Sequence, residues 1–497
     1  MSMIPRHLDM LMGGEWRPSL DGARLEVRSP WDDALVGSVP RGRADDVDGA
    51  VAAARRAAKA WQSLPPRARE RLLLDVADRI ERAGQVRLLE LLIEEAGSTI
   101  TEARAEIAYA ADLLRAAAGE ARRLYGDTFP NDRPERLSFV LREPLGVVGV
   151  ISPFNSPVAL LTKMLAFPLA AGNAVVIKPS ESTSLTALEL ARFFVEADAL
   201  PGLVNVVTGR GDETGRPLVE HPGVDGLAFT GSTAVGRRLG AAAALRMARV
   251  QLELGGKNAV LVLADADPER AASIIAQGAY AHAGQICMAG SRIIVERPLA
   301  ERLTAALVRA AESIYLGERR DLSSVYGPLV NDAAVDKVMT QLAEARARGA
   351  EVLTGGRVRA GRVFLPTVVR GVPIDCDLWR EETFGPVIGV AVAENLDEAV
   401  AIANDNPYGL SASVLTNDLR RGLEAARGLR SGAVHLGMHP FQSNTLAPIG
   451  GVGASGVGRS GGKYSVESFT ELKWISVELA PPPLAPPPRE PGGSTTP

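Results

Sequence analysis

Between Ala44 and Arg123 apolar residues recur every three or four positions. The stretches Val51–Trp61, Arg67–Arg82 and Glu102–Leu124 each place them on one helical face, so this part of the chain is expected to be helical. Turn residues from Gly126 to Pro134 break the pattern. The period then shortens: Leu137–Leu141 and Gly146–Ile151 are β-branched runs of strand character. Short apolar strands at Ala174–Ile177, Val204–Val207, Leu227–Phe229 and Val260–Leu263 follow, with helical patterns between them. Such alternation predicts a parallel α/β sheet, because each parallel crossover needs a helix to return the chain. A second α/β region runs from Asp267 to about Val434. Residues 480–497 are dense in Pro, Gly, Ser and Thr and are expected to form a disordered tail. No internal repeat is visible.

Composition narrows the class. At 497 residues the chain has room for two or more domains. Its 46% hydrophobic and 23% charged content fits a soluble globular enzyme. A net charge of −4 argues against a nucleic-acid binder, which needs a concentrated basic face. With two cysteines, Cys287 and Cys376, no disulfide framework is expected and the compartment should be reducing. The first twelve residues carry Arg6, His7 and Asp9 and no apolar core, so they do not resemble a secretory signal. No apolar run is long enough to span a membrane. Together these features lead us to expect a cytoplasmic protein. The five histidines lack partners at ligand spacing, so no metal is expected.

Two segments carry the chemistry. Glu253 lies in Glu253-Leu254-Gly255-Gly256-Lys257, after an apolar strand bearing Val250 and Leu252. The two glycines are expected to let the backbone bend and approach a bound group closely. Thirty-four positions on, Cys287 ends Gly284-Gln285-Ile286-Cys287. A thiol can attack a carbonyl, and a nearby carboxylate can activate the water that hydrolyses the resulting thioester. Cys376, in Ile374-Asp375-Cys376-Asp377, has no such setting and reads as incidental. In this pairing and spacing the chain resembles the aldehyde dehydrogenase superfamily, and similar segments extend from about Trp16 to Trp474.

The resemblance implies a Rossmann-like cofactor domain (1–123 and 145–254), an α/β catalytic domain (255–450) and a small β oligomerisation arm (124–144 and 468–479). It also implies a homodimer or homotetramer. Asn155, bracketed by Pro153 and Pro157, can donate to an oxyanion, and the resemblance pairs it with the Cys287 N–H. Read from the residues alone, the same segment is an ordinary Asn-Pro turn.

A dinucleotide site rests on several segments. Lys178, Ser180 and Glu181 close a strand, where an acid can accept ribose hydroxyls and repel a 2′-phosphate. Gly211 and Gly215 follow the next strand without the usual G-x-G-x-x-G spacing. Gly231, Ser232 and Gly236 join a strand to a helix, where free N–H groups suit phosphate. The resemblance adds Ile151, Ser152 and Leu254, and it gives Glu382 and Phe384 to the nicotinamide ribose. The cofactor is therefore expected to be NAD, with NADP possible. Ser156, Lys163 and Phe441 are the candidate substrate residues. Lys163 is expected either to meet an anionic substrate group or to snorkel its ammonium off its helix. The glycine segment Pro448–Arg459 is expected to be structural, near the channel mouth. Two other readings remain. A CoA-acylating semialdehyde dehydrogenase would usually lack the glutamate that this chain keeps, and a non-catalytic protein on the same fold would oxidise nothing.

Overall fold

The computed structural model describes residues 6–480; all of the proposed tail except Ala480 lies outside them. Five parallel strands form the centre of one sheet: Val147–Ile151, Ala174–Lys178, Val204–Val206, Gly226–Thr230 and Arg249–Glu253. Numbered by their order in the chain, they lie side by side as fifth, fourth, first, second, third. The order reverses beside the first strand, so loops leaving Ile151 and Thr230 diverge and open a crevice at the carboxyl edge. The hairpin of Met10–Met12 and Glu15–Arg17 extends one edge antiparallel to Val204–Val206. Gly456–Val457 closes the other edge against Leu252 and Glu253. These added strands are two or three residues long, too short for periodicity to reveal.

Helices cover this sheet for the reason the sequence suggests: their alanine-rich faces permit close packing. Ile100–Ala121 starts at Thr99 with a reciprocal capping box to Glu102. Ala159–Ala171 is buried on nearly all sides and stops at Gly172, whose φ of 103° suits a residue without Cβ.

A second sheet runs Glu351–Thr354, Thr367–Arg370, Val387–Ala393, Gly290–Glu296, Asn258–Val262, Ser411–Leu415, Ala433–Leu436. It is parallel apart from its first strand. Each sheet has its own apolar core. The segment Leu254–Lys257 joins the last parallel strand of the first sheet to a central strand of the second. A third sheet pairs Arg136–Pro144 antiparallel with Thr470–Glu478 over nine residues, with Thr128–Phe129 alongside. No helix among the described residues is long and apolar enough to cross a membrane.

Candidate active site

The inter-sheet linker places the carboxylate beside the thiol. Glu253 ends one strand and Asn258 begins the next, with two glycines between them. A Cβ on Gly255 would lie 2.5 Å from a Glu382 carboxylate oxygen, and one on Gly256 would lie 2.7 Å from the Cys287 carbonyl oxygen. The close approach these glycines allow is therefore to protein groups. Asn258 Nδ2 donates to the Cys287 carbonyl at 2.8 Å and to that of Ala289 at 2.9 Å, which fixes the end of the cysteine loop. Asn258 gave no signal in the sequence, although it directly follows Lys257.

Two cavities meet at Cys287. The larger, about 620 Å³, opens at the crevice where strand order reverses. Its walls include Ile151, Ser152, Lys178, Ser180, Glu181, Gly211, Gly215, Gly231, Ser232, Leu254, Glu382 and Phe384. Gly236 does not line it: a Cβ there would meet Leu254 at 2.2 Å, so this glycine seats Leu254 against the helix Thr233–Ala244. Ser232 caps that helix, and the first-turn N–H groups suit an anion. Lys178 Nζ holds Glu181 Oε1 at 2.9 Å, which fixes an acid on the rim of the cavity. Gly256 N–H donates to Glu382 Oε1 at 3.2 Å. Burial pushes the Glu382 carboxyl up, and the Gly256 N–H opposes that shift. Phe384 has a φ of 54° and meets Phe154 edge-on at 5.9 Å. An anion-binding helix end, a strand-end acid and a crevice at the switch point together fit a dinucleotide.

The second cavity, about 380 Å³, is lined by Ser156, Lys163 and Phe441 among others. Asn155, Leu160, Glu253, Leu254 and Cys287 border both cavities. Asn155 Nδ2 donates to the Gln285 carbonyl at 2.8 Å. A primary amide has two N–H groups, so this bond orients the side chain and leaves the second for another acceptor.

Lys163 does not snorkel. Its ammonium lies 3.3 Å from Glu253 Oε1, with side-chain exposures of 6% for the lysine and 12% for the glutamate. A buried ammonium needs an anion, and Lys163 finds it in the strand-end carboxylate. Ser460 Oγ also donates to Glu253 Oε1. The glycine segment therefore does more than pack: it carries Gly456–Val457 onto the sheet edge and Ser460 onto Glu253. Ser460 gave no signal in the sequence, being 207 positions from its partner. Lys257 was missed as well: its Nζ donates to Thr383 Oγ1 at 2.8 Å, and burial pulls it down to about 7.

The Cys287 thiol is pushed up to about 12, first by burial, then by the carboxylates of Glu253 and Glu382, against the opposing Lys163. Near neutral pH it is a thiol, so a nucleophilic role requires a base. Below the pKa, the thiolate fraction grows about tenfold per pH unit. Alkylation of the protein without cofactor by iodoacetamide should therefore keep rising from about pH 7 to about pH 10. A plateau below about pH 8 would show a preformed thiolate instead.

Comparison with known proteins places this geometry in a family. The profile of the aldehyde dehydrogenase family matches residues 16–475. A vanillin dehydrogenase from Pseudomonas fluorescens is 37% identical, over 95% of this chain and 98% of its own length. An NADP-dependent succinate-semialdehyde dehydrogenase from Escherichia coli is 35% identical, over 94% and 97%. The crystal structure of an NAD-dependent aldehyde dehydrogenase from Sinorhizobium meliloti superposes with a TM-score of 0.94 at 40% identity, covering 97% of this chain and 96% of that one. A thiol, a carboxylate and an amide at the meeting point of two cavities are thus set within a family match that spans residues 16–475, and the chain belongs to the aldehyde dehydrogenase family of NAD(P)-dependent enzymes that oxidise aldehydes to acids.

Proposed function

We propose that Cys287 is the nucleophile, Asn155 an oxyanion donor and Glu253 the base of this reaction, and that the preferred substrate is a neutral aromatic aldehyde. The observation that carries the residue roles is the convergence of both cavities on these three side chains. Cys287 Sγ attacks the aldehyde carbon as its thiol proton passes to a base. The free Asn155 N–H, with the Cys287 N–H, stabilises the oxygen as it becomes negative. The chemistry a bound nicotinamide supplies is acceptance of hydride, which turns the thiohemiacetal into a thioester. Glu253 then takes a proton from water as that water attacks the thioester carbonyl, and the carboxylic acid leaves while the thiol is restored.

The substrate reading rests on the Lys163–Glu253 pair. Both basic side chains lining the substrate cavity already face carboxylates: Lys163 faces Glu253, and His282 Nδ1 lies 3.7 Å from Glu102. An anionic aldehyde would have to displace Glu253 from Lys163 beside the further carboxyls of Glu102 and Glu106. A neutral ring meets Leu160, Ile286, Met288 and Phe441 without breaking that pair. A charge-assisted bond contributes about 1.5–3 kcal/mol. We therefore expect benzaldehyde to exceed succinic semialdehyde in kcat/KM by about one to two decades. Lys163→Met should lower turnover of both, because the lysine acts through Glu253. Equal or higher kcat/KM for the semialdehyde, with loss confined to it in the variant, would overturn this reading.

Glu181, held by Lys178, supports a preference for NAD over NADP. A 2′-phosphate against that carboxylate costs about 1–3 kcal/mol in a partly desolvated site. A kcat/KM higher with NADP would contradict this. The three-stranded sheet exposes Leu137, Leu141, Leu472 and Trp474, a patch that supports pairing of the arm between copies in a homodimer or homotetramer. Two free cysteines support a cytoplasmic location.

A further inference from the structure

The loop that delivers Cys287 begins in a backbone conformation that L-residues rarely adopt. His282 has a φ of 49°, Ala283 of 54° and Gly284 of 70°, three left-handed residues in succession. Glycine at the third is unavoidable, since a Cβ there would lie 2.3 Å from the Gly385 carbonyl oxygen. The first two have no such allowance and persist only where surrounding contacts over-determine them. Within the loop, Gln285 N–H donates to the His282 carbonyl at 3.0 Å. The Gln285 side chain is fully buried and is held by the Pro328 carbonyl at 3.2 Å and the Val330 N–H at 2.9 Å.

Gln285 Nε2 also donates to the His282 carbonyl at 3.3 Å, and a further tie comes from the other half of the molecule. The His282 N–H donates to Glu102 Oε1 at 2.7 Å, across 180 positions of sequence. The second oxygen of the same carboxylate accepts from the Thr99 N–H at 2.8 Å and from Thr99 Oγ1 at 3.1 Å, completing the capping box of Ile100–Ala121. One carboxylate thus joins the end of a helix packed against Ala159–Ala171 to the first residue of the strained turn.

We propose that Glu102 is a positioning residue for the nucleophile: its carboxylate latches the left-handed turn His282–Gly284 and so keeps Cys287 at the junction of the two cavities. Released from the latch, His282 and Ala283 relax toward ordinary φ values. That movement displaces Gln285, whose carbonyl holds the Asn155 amide. Thiol and oxyanion donor lose their alignment together, while the rest of the cofactor cavity, whose walls include no residue of the turn, keeps its place. This inference rests on Cys287 being the nucleophile.

The test compares Glu102→Ala, Thr99→Ala and the double variant Glu102→Ala with Ala283→Gly. Glu102→Ala should lower kcat by about a hundredfold, the order of loss from a misplaced reacting group, with NAD affinity unchanged. Thr99→Ala removes the cap but keeps the latch, so it should lower Tm and leave kcat near wild type. Ala283→Gly makes the left-handed turn easier to adopt, so the double variant should regain about tenfold or more in kcat. Glu102→Asp keeps the charge and the capping chemistry but withdraws the carboxylate from the His282 N–H. It should show the same loss and the same rescue, and it carries the test if the alanine variant does not fold. Equal kcat loss in Thr99→Ala, or no rescue by glycine, would overturn the latch. An active Cys287→Ala enzyme would instead remove the nucleophile assignment on which the latch depends.

Discussion

Cys287→Ala should lower aldehyde oxidation by about four decades or more, the scale on which loss of a covalent nucleophile is felt, while NAD binds as before. The methyl side chain cannot form the thiohemiacetal, so no carbon is set up to release hydride. The cofactor cavity should be unaffected, because Cys287 touches only its inner end, where the two cavities meet. Titration of NAD against the variant by calorimetry, with NADH production followed at 340 nm, checks both halves. Substantial turnover would remove Cys287 from the mechanism. Lost NAD binding would mean that the residue supports the fold.

Glu253→Gln should separate the two halves of the reaction. Gln keeps the size of the side chain and can still accept from Ser460 Oγ, but it cannot take a proton from water and leaves Lys163 without its anion. General-base catalysis is worth about two to four decades, so hydrolysis of the thioester should slow by that factor. If a group other than Glu253 takes the thiol proton, rapid mixing will show one burst of NADH per active site followed by slow turnover. If Glu253 also deprotonates the half-buried Cys287 thiol, which its surroundings push up to about 12, the burst itself will slow. Unchanged steady turnover would deprive Glu253 of its role.

The parallel core was legible because its strands are apolar, β-branched runs buried on both faces. Val147–Ile151 and Asn258–Val262 are almost wholly apolar, and each lies between two neighbouring strands. Ala44–Ser63 and Ile100–Ala121 were legible for the corresponding reason, one alanine-rich face each. The hairpin at Met10–Met12 and the edge strand Gly456–Val457 were not, since two or three residues set no period and their pairing partners lie far along the chain.

The site divides in the same way. Glu253, Leu254 and the two glycines announce themselves because a short linker forces them against Cys287 and Glu382. Lys163 was noticed as a cation on an apolar helix, but its partner depends on how that helix crosses the sheet edge, 90 positions from Glu253 in sequence. Ser460 and Glu102 act through single hydrogen bonds made across the fold. Neither residue type nor spacing marks them, and only tertiary packing brings them to the thiol and its base.

The covalent step is tested most directly by trapping the acyl enzyme. Glu253→Gln is mixed with NAD and benzaldehyde, quenched in acid within the burst, digested and mapped by mass spectrometry. A benzoyl group is expected on the peptide containing Cys287, in proportion to the NADH formed. NADH formation with Cys287 unmodified, or the benzoyl group on any other residue, would contradict the covalent step at Cys287.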